Sequence, residues 1–112
     1  MIALNLPWPP SVNHYLIHTR NGARLTKEAK TYRTEVLVIW KRLRASKQAG
    51  RLSVQITAHP PDNRKRDLDN LLKQTLDALQ HAGAYEDDSQ IDVLAIRRGC
   101  LVKGGKLDVS IY

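Results

Sequence analysis

Across Gly50 the apolar residues change period, and that change restricts the chain to folds in which a helix leads directly into a strand. Before Gly50, Ala29, Tyr32, Val36, Ile39, Trp40 and Leu43 recur at helical spacing, which predicts a helix from an N-cap at Thr26 to about residue 48, closed by Gly50. Its other faces are basic, with Lys30, Arg33, Lys41, Arg44 and Lys47. After Gly50, Leu52, Val54, Ile56 and Ala58 alternate with Ser53, Gln55 and Thr57, the period of a half-buried strand, and Pro60-Pro61 closes it.

The rest of the chain repeats these two patterns. Ile2, Leu4 and Leu6 predict a short strand stopped by Pro7, followed by a loop over 8–25 with room for a short extended or hairpin piece around Tyr15 and Arg24. A second helix is predicted over about 67–82, with Leu68, Leu71, Leu72, Leu76 and Leu79 toward the core and Gly83 as the C′ glycine. The apolar run at 91–98 predicts a strand covered on both faces. "CLVKGGKLDVSIY" predicts a hairpin through Gly104-Gly105, with Leu107, Val109 and Ile111 inward. The order is strand, helix, strand, helix, strand, strand. It implies one α/β domain of α+β type over residues 1–112, a mixed four-stranded sheet with two main helices packed on it.

Charge narrows the partners. Eighteen Lys and Arg against eleven Asp and Glu give a net charge of +7, which favours a polyanion. The cations are spread over several segments instead of lining one amphipathic helix, so a membrane surface is disfavoured. No segment approaches the roughly 18 apolar residues of a membrane span. Cys100 stands alone, which excludes an internal disulfide and a Cys-rich zinc site and points to a reducing, cytoplasmic setting.

Against that charge, four of the eleven acidic residues gather around the second helix: Asp67 and Asp69 at its start, Asp87 and Asp88 in the turn after it. Asp67 and Asp69 follow directly on Arg64, Lys65 and Arg66. If Asp67 is extended as the N-cap, both carboxylates can reach a common point above the helix start; if the helix begins at Asp67, they diverge. Lys73 lies four residues after Asp69 and on its face. Taken one at a time, these residues are better explained by capping, turn formation and a solvated Asp69–Lys73 pair; it is their gathering in a basic chain that those roles leave unexplained.

The segments "LPWPPSVNHY" (6–15), "RKRDLDNLLK" (64–73), "DALQHAG" (77–83), "EDDSQI" (86–91) and "KGGKL" (103–107) together resemble the RusA family of Holliday junction resolvases, in the family's order over nearly the whole chain. The resemblance implies a RusA-like fold and a dimeric, metal-dependent endonuclease that makes paired cuts in four-way DNA junctions. It maps the essential acidic residues onto Asp67, Asp69 and Asp88 and the essential lysine onto Lys73, with Asn70 and Asp87 in supporting positions. Two departures stand out: Ala84-Tyr85-Glu86 where relatives carry bulky aromatics, and no Phe anywhere, which leaves Trp8, Tyr15, Tyr32 and Trp40 as large anchors.

Three carboxylates without His or Cys suit a hard cation, Mg²⁺ first and Mn²⁺ as a substitute. His14, His18, His59 and His81 lack zinc-site spacing and are expected to be solvated or in loops. No phosphate-loop motif calls for a nucleotide cofactor. Arg64, Lys65 and Arg66 are the first candidates for phosphate contacts, extended by Arg97, Arg98, Lys103 and Lys106 unless these are ordinary strand-face and turn residues. A four-way junction has twofold symmetry, which favours a homodimer. The Trp8-Pro9-Pro10 loop and Tyr15 suit dimer contacts, stacking at the junction centre or ordinary packing, with dimer or DNA contact favoured because prolines rigidify the loop. Recombination, repair and phage DNA processing all fit such an activity, as does a phage or prophage origin. The rivals are a non-catalytic basic nucleic-acid-binding protein and a nuclease for other branched DNA.

Overall fold

The computed structural model describes residues 1–112. The chain runs through β1 (Ile2–Pro7), a hairpin of β2 (Leu16–Thr19) and β3 (Gly22–Leu25), α1 (Lys27–Leu43), β4 (Leu52–His59), α2 (Leu72–Ala82), β5 (Ile91–Arg98) and β6 (Lys106–Ile111). Single 3₁₀ turns lie at Val12–His14, Leu68–Leu71 and Asp88–Gln90. The main sheet has the order β1-β6-β4-β5, with β4 and β5 parallel and the other pairs antiparallel. It is the mixed four-stranded sheet that the apolar periods imply.

The alternation in each strand selects one face. Leu4 and Leu6 of β1, Leu52, Val54, Ile56 and Ala58 of β4, and Leu107, Val109 and Ile111 of β6 are buried against Tyr32, Val36 and Trp40 of α1 and Ala78, Leu79 and Ala82 of α2. Thr26 caps α1 as expected: its Oγ1 accepts from the Ala29 N–H at 3.1 Å. Gly83 ends α2 with φ 95, in the left-handed region where glycine carries no Cβ penalty.

Four expectations need correction. β5 and β6 do not form a hairpin, because β4 lies between them. The α2 crossover delivers β5 to one edge of β4 and leaves the other edge for β6, with residues 99–105 passing over the end of β4. Nor is β5 covered on both faces: it is an edge strand, with Val93 54 % and Leu94 40 % exposed. α1 stops at Leu43, short of residue 48, because Arg44 turns left-handed (φ 54) and sends the chain back toward the acidic turn, where the Gln48 N–H donates to the Ala84 carbonyl. Leu43 is left exposed by that turn. At the second helix, the first turn is 3₁₀ and regular α geometry begins only at Leu72.

The departure at Ala84-Tyr85-Glu86 is absorbed by a single ring. Tyr85 is fully buried, and its hydroxyl donates to the Leu76 carbonyl at 2.6 Å, fastening the acidic turn to α2. Tyr85→Phe deletes that bond while keeping the ring and should cost about 1 kcal/mol, read by urea unfolding. Unchanged stability would mean the ring alone holds the turn.

Candidate active site

Three segments meet around α2: the 3₁₀ turn that leads into it, its first two turns, and the acidic turn that follows it. Asp67 is extended (φ −91, ψ 134), so of the two geometries open in the sequence it takes the N-cap one. Its carboxylate nevertheless makes no capping hydrogen bond. Both Asp67 and Asp69 are exposed. Asp67 opens on a hollow of about 350 Å³ lined by Trp8, Ser11, Lys65, Arg66, Asn70 and Leu71.

Asp87 is the opposite case. Its carboxylate accepts from the Ser89 N–H at 2.9 Å, and Gln90 returns two bonds to the backbone of Glu86 and Asp87, a complete capping box. The Ser89 N–H first, and then the Ser89 side chain, hold the Asp87 carboxyl below its usual range. Asp87 therefore has a structural task, and Asp67 and Asp69 do not. Asp88 is half-buried, its N–H tied to Gln80 Oε1 at 3.0 Å. Burial first, then the carboxylates of Asp87 and Asp77, push Asp88 upward, while the Lys73 ammonium acts against them.

Lys73 does not pair with Asp69. Its ammonium lies 3.5 Å from Asp77 Oδ2, one turn further along α2, because an ammonium on this face meets the half-buried Asp77 at i+4. Asp77 also accepts a 2.6 Å hydrogen bond from the Tyr15 hydroxyl. Burial, and then that bond to Asp77, push the Tyr15 phenol up to about 12, so it remains a donor. Asp77 is the residue that sequence reasoning passed over. Its signal was present at i+4 from Lys73, but Asp69 at i−4 offered the same spacing.

The structure thus brings Lys73, Asp77 and Asp88 together and holds Asp67 with Lys65, Arg66, Asn70 and Trp8. No three His, Cys, Asp or Glu side chains stand close enough to hold a metal ion. As donors, Asp67, Asp69 and Asp88 offer only oxygens, which fits a hard cation chemically. As an arrangement, the isolated chain does not present them as one three-carboxylate site. The Asn70 N–H donates to the Asp67 carbonyl at 3.2 Å and so shapes the turn through its backbone.

The cations beside Asp67 are organised around Trp8. The Arg66 guanidinium lies 5.7 Å over the Trp8 ring and bonds Asp62 at 2.7 Å, while Arg98 donates to the Arg66 carbonyl at 2.9 Å. The Arg66 bond, with the Arg64 N–H, holds Asp62 down to about 2. Gly105 packs so closely on Trp8 that a Cβ there would come within 2.9 Å of the Trp8 Cβ, which brings the turn bearing Lys103 to the same end of the sheet. Lys65 and Lys103 have no acidic partner; Arg97 donates to Thr57 and Lys106 sits 3.3 Å from Asp108 on the sheet.

Two further expectations are revised. Of the roles open to Tyr15 the structure selects packing over the favoured dimer or DNA contact: the ring is buried and its hydroxyl donates to Asp77 of α2. His59 is neither solvated nor in a loop: it ends β4, with Nε2 3.0 Å from Asp108 and Nδ1 2.9 Å from the Cys100 carbonyl, tying β4 to β6 and to the loop after β5.

Fold and site define a small basic α+β protein whose carboxylates and lysine lie beside a cationic, aromatic-centred surface. The model of the family described as endodeoxyribonuclease RusA matches residues 7–112. The chain belongs to the RusA family. It is 40 % identical over 107 residues to a crossover junction endodeoxyribonuclease of Enterobacteria phage HK97, covering 95 % of this chain and 89 % of that one. It is 38 % identical over 110 residues to the enzyme of that name from Shigella sonnei strain Ss046, covering 97 % and 92 %. The counterpart in Enterobacteria phage 82 is 38 % identical over 109 residues, covering 96 % and 91 %.

Proposed function

We propose that this chain is a crossover junction endodeoxyribonuclease, which hydrolyses phosphodiesters symmetrically in four-way DNA junctions during recombination or repair. The observation that carries the reading is the contrast between acidic residues: Asp87 is consumed by a capping box, whereas Asp67 and Asp69 stand exposed at a helix start with no side-chain bond and no lysine partner. In a chain of charge +7 these two carboxylates enter no side-chain hydrogen bond or ion pair. The names carried by relatives that match nearly its full length support the same activity.

Asp67, Asp69 and Asp88 are the residues that would hold Mg²⁺ or Mn²⁺, and to do so they would have to come closer together than they stand here. Bound there, the cation would supply an acidified water and a polarised phosphate. The chain's own residues do the rest. Lys73 places a fixed positive charge beside Asp88, suited to the negative charge that accumulates on a phosphate under attack. Asp77 and Tyr15 hold that ammonium in position. Lys65, Arg66, Arg98 and Lys103 gather at the Trp8 end of the sheet, with Arg64 beside them on the loop and Lys106 at the start of β6 opposite Pro7; these suit the flanking backbone, with Arg97 further along β5.

A twofold dimer matches the symmetry of the substrate. The free edge of β5, with Val93 and Leu94 exposed, is the surface that best suits a second copy, since an antiparallel β5 pair is self-complementary. No helix is long and apolar enough to cross a membrane.

The decisive assay incubates the protein with a labelled synthetic four-way junction, a replication fork, a flap and linear duplex, with and without Mg²⁺. Cation-dependent, paired cuts confined to the junction are expected. Binding without cutting would favour a non-catalytic nucleic-acid-binding protein, and faster cutting of the flap or fork would move the substrate. Sedimentation that gives only monomer, free and on the junction, would remove the dimer.

A further inference from the structure

We propose that the β2–β3 hairpin and the first turn of α1 form a second DNA-contact surface, one that grips the backbone of a junction arm away from the reacting phosphate. It rests on the reading of the chain as a DNA-processing protein.

The sequence singles out this region by sign. No Asp or Glu occurs before Glu28, while Arg20, Arg24, Lys27 and Lys30 fall within eleven residues, counting from 20 to 30. The local fold then exposes them. Leu16 pairs with Leu25 at the half-buried base, Ile17 with Arg24 and Thr19 with Gly22, and Arg20-Asn21 form a two-residue turn. Gly22 follows at φ 110, and the Thr19 hydroxyl donates to its carbonyl at 2.7 Å. Beyond the base, Ile17, His18, Arg20, Asn21, Gly22, Ala23 and Arg24 are all exposed.

Two strands that join no larger sheet are marginal on their own, so the ribbon depends on its root. That root is well fixed. The Thr26 N–H donates to the Tyr15 carbonyl at 3.0 Å, Thr26 Oγ1 donates to the His14 carbonyl, and the Tyr15 hydroxyl reaches Asp77. The ribbon is therefore anchored to the helix that carries Lys73, and it projects from beside the candidate site.

One side of the ribbon and the start of α1 share a basin lined by Ile17, Thr19, Arg24, Leu25, Lys27 and Lys30. Seven ion pairs engage Lys47, Arg51, His59, Arg64, Arg66, Lys73 and Lys106, and none engages Arg20, Arg24, Lys27 or Lys30. The acidic residues of α1 are absent from this basin: Glu28 and Glu35 line the hollow beside Trp8 and Tyr32, where Lys27, which borders both, is the one cation shared with them. Two cations on a two-stranded ribbon, Arg20 and Arg24, with Lys27 and Lys30 beside them on the first turn of α1 and none of the four in an ion pair, suit a phosphate backbone, and such a ribbon has the width to enter a major groove. Ile17, 51 % exposed and paired with Arg24, supplies an apolar contact on the same side.

The test replaces Arg20, Arg24, Lys27 and Lys30 together by Ala and measures the dissociation constant for a synthetic four-way junction and for linear duplex across a NaCl series without divalent cation. Each phosphate that the variant no longer neutralises should flatten the slope of log K against log[salt] by about 0.9, so a decrease of roughly 2 to 3.5 is expected, with affinity at least about tenfold weaker. Replacing Arg20 and Arg24 by Lys instead should keep the wild-type slope. Wild-type slope and affinity in the fourfold variant would overturn the proposal, as would an equal weakening in the lysine variant, since that would report disrupted folding. The expected slope change in the fourfold variant, together with wild-type protein that binds DNA but never cuts it, would refute the nuclease reading and leave this surface standing.

Discussion

Asp67→Asn, Asp69→Asn and Asp88→Asn are each expected to lower junction cutting by about a hundredfold or more, while junction binding without a divalent cation is kept or tightened. Retained binding follows from what these side chains do in the folded chain. Asp67 and Asp69 are exposed and make no side-chain bond, so an isosteric amide should alter stability by no more than about 0.5 kcal/mol. Asp88 is pushed upward by burial and by Asp87 and Asp77, so an amide, which resembles its neutral form, relieves repulsion. Each substitution also removes one negative charge beside a cationic surface, which favours DNA. The measurement pairs single-turnover cutting in Mg²⁺ with gel-shift affinity in EDTA. Cutting and binding that fall in parallel would make these residues part of the DNA-contact surface.

The fold was legible where burial dictates period. Val54 and Ile56, Leu107 and Val109, and Tyr32, Val36 and Trp40 all lie on the faces that their spacing assigns. What failed was neighbour relations. Val93 and Leu94 belong to a continuous apolar run that suits a covered strand and an edge strand alike, and only the crossover through α2 decides between them. The same holds for Gly104-Gly105. Two glycines at φ 81 and 75 mark a turn, but not which strand the chain joins afterward.

At the candidate site, residue types were legible and partners were not. Asp87 and Asp88 are adjacent and chemically identical, yet one closes a capping box and the other is drawn toward α2 by the Gln80 bond to its N–H. Lys73 had carboxylates at both i−4 and i+4, and spacing cannot choose between them; Tyr15, sixty-two residues before Asp77, helps fix the choice by bonding it. The place of His59 is hidden for the same reason, since its partner Asp108 is forty-nine residues away.

Lys73→Ala is expected to slow cutting by about a hundredfold, a loss of roughly 2.7 kcal/mol in transition-state stabilisation, with stability lowered by less than about 1 kcal/mol. The inequality matters because Lys73 already has a partner. Its ammonium is 3.5 Å from Asp77, but the side chain is 60 % exposed, and a surface pair of that kind contributes too little for its loss to unfold the domain. Asp77→Asn separates the two roles. It breaks the same pair and keeps a group able to accept from Tyr15, yet leaves the ammonium present, so cutting should fall far less than in Lys73→Ala. The comparison uses single-turnover rates for both variants, with urea unfolding as the control. Equal losses in the two would mean that Lys73 matters only through Asp77 and carries no charge to the reacting phosphate.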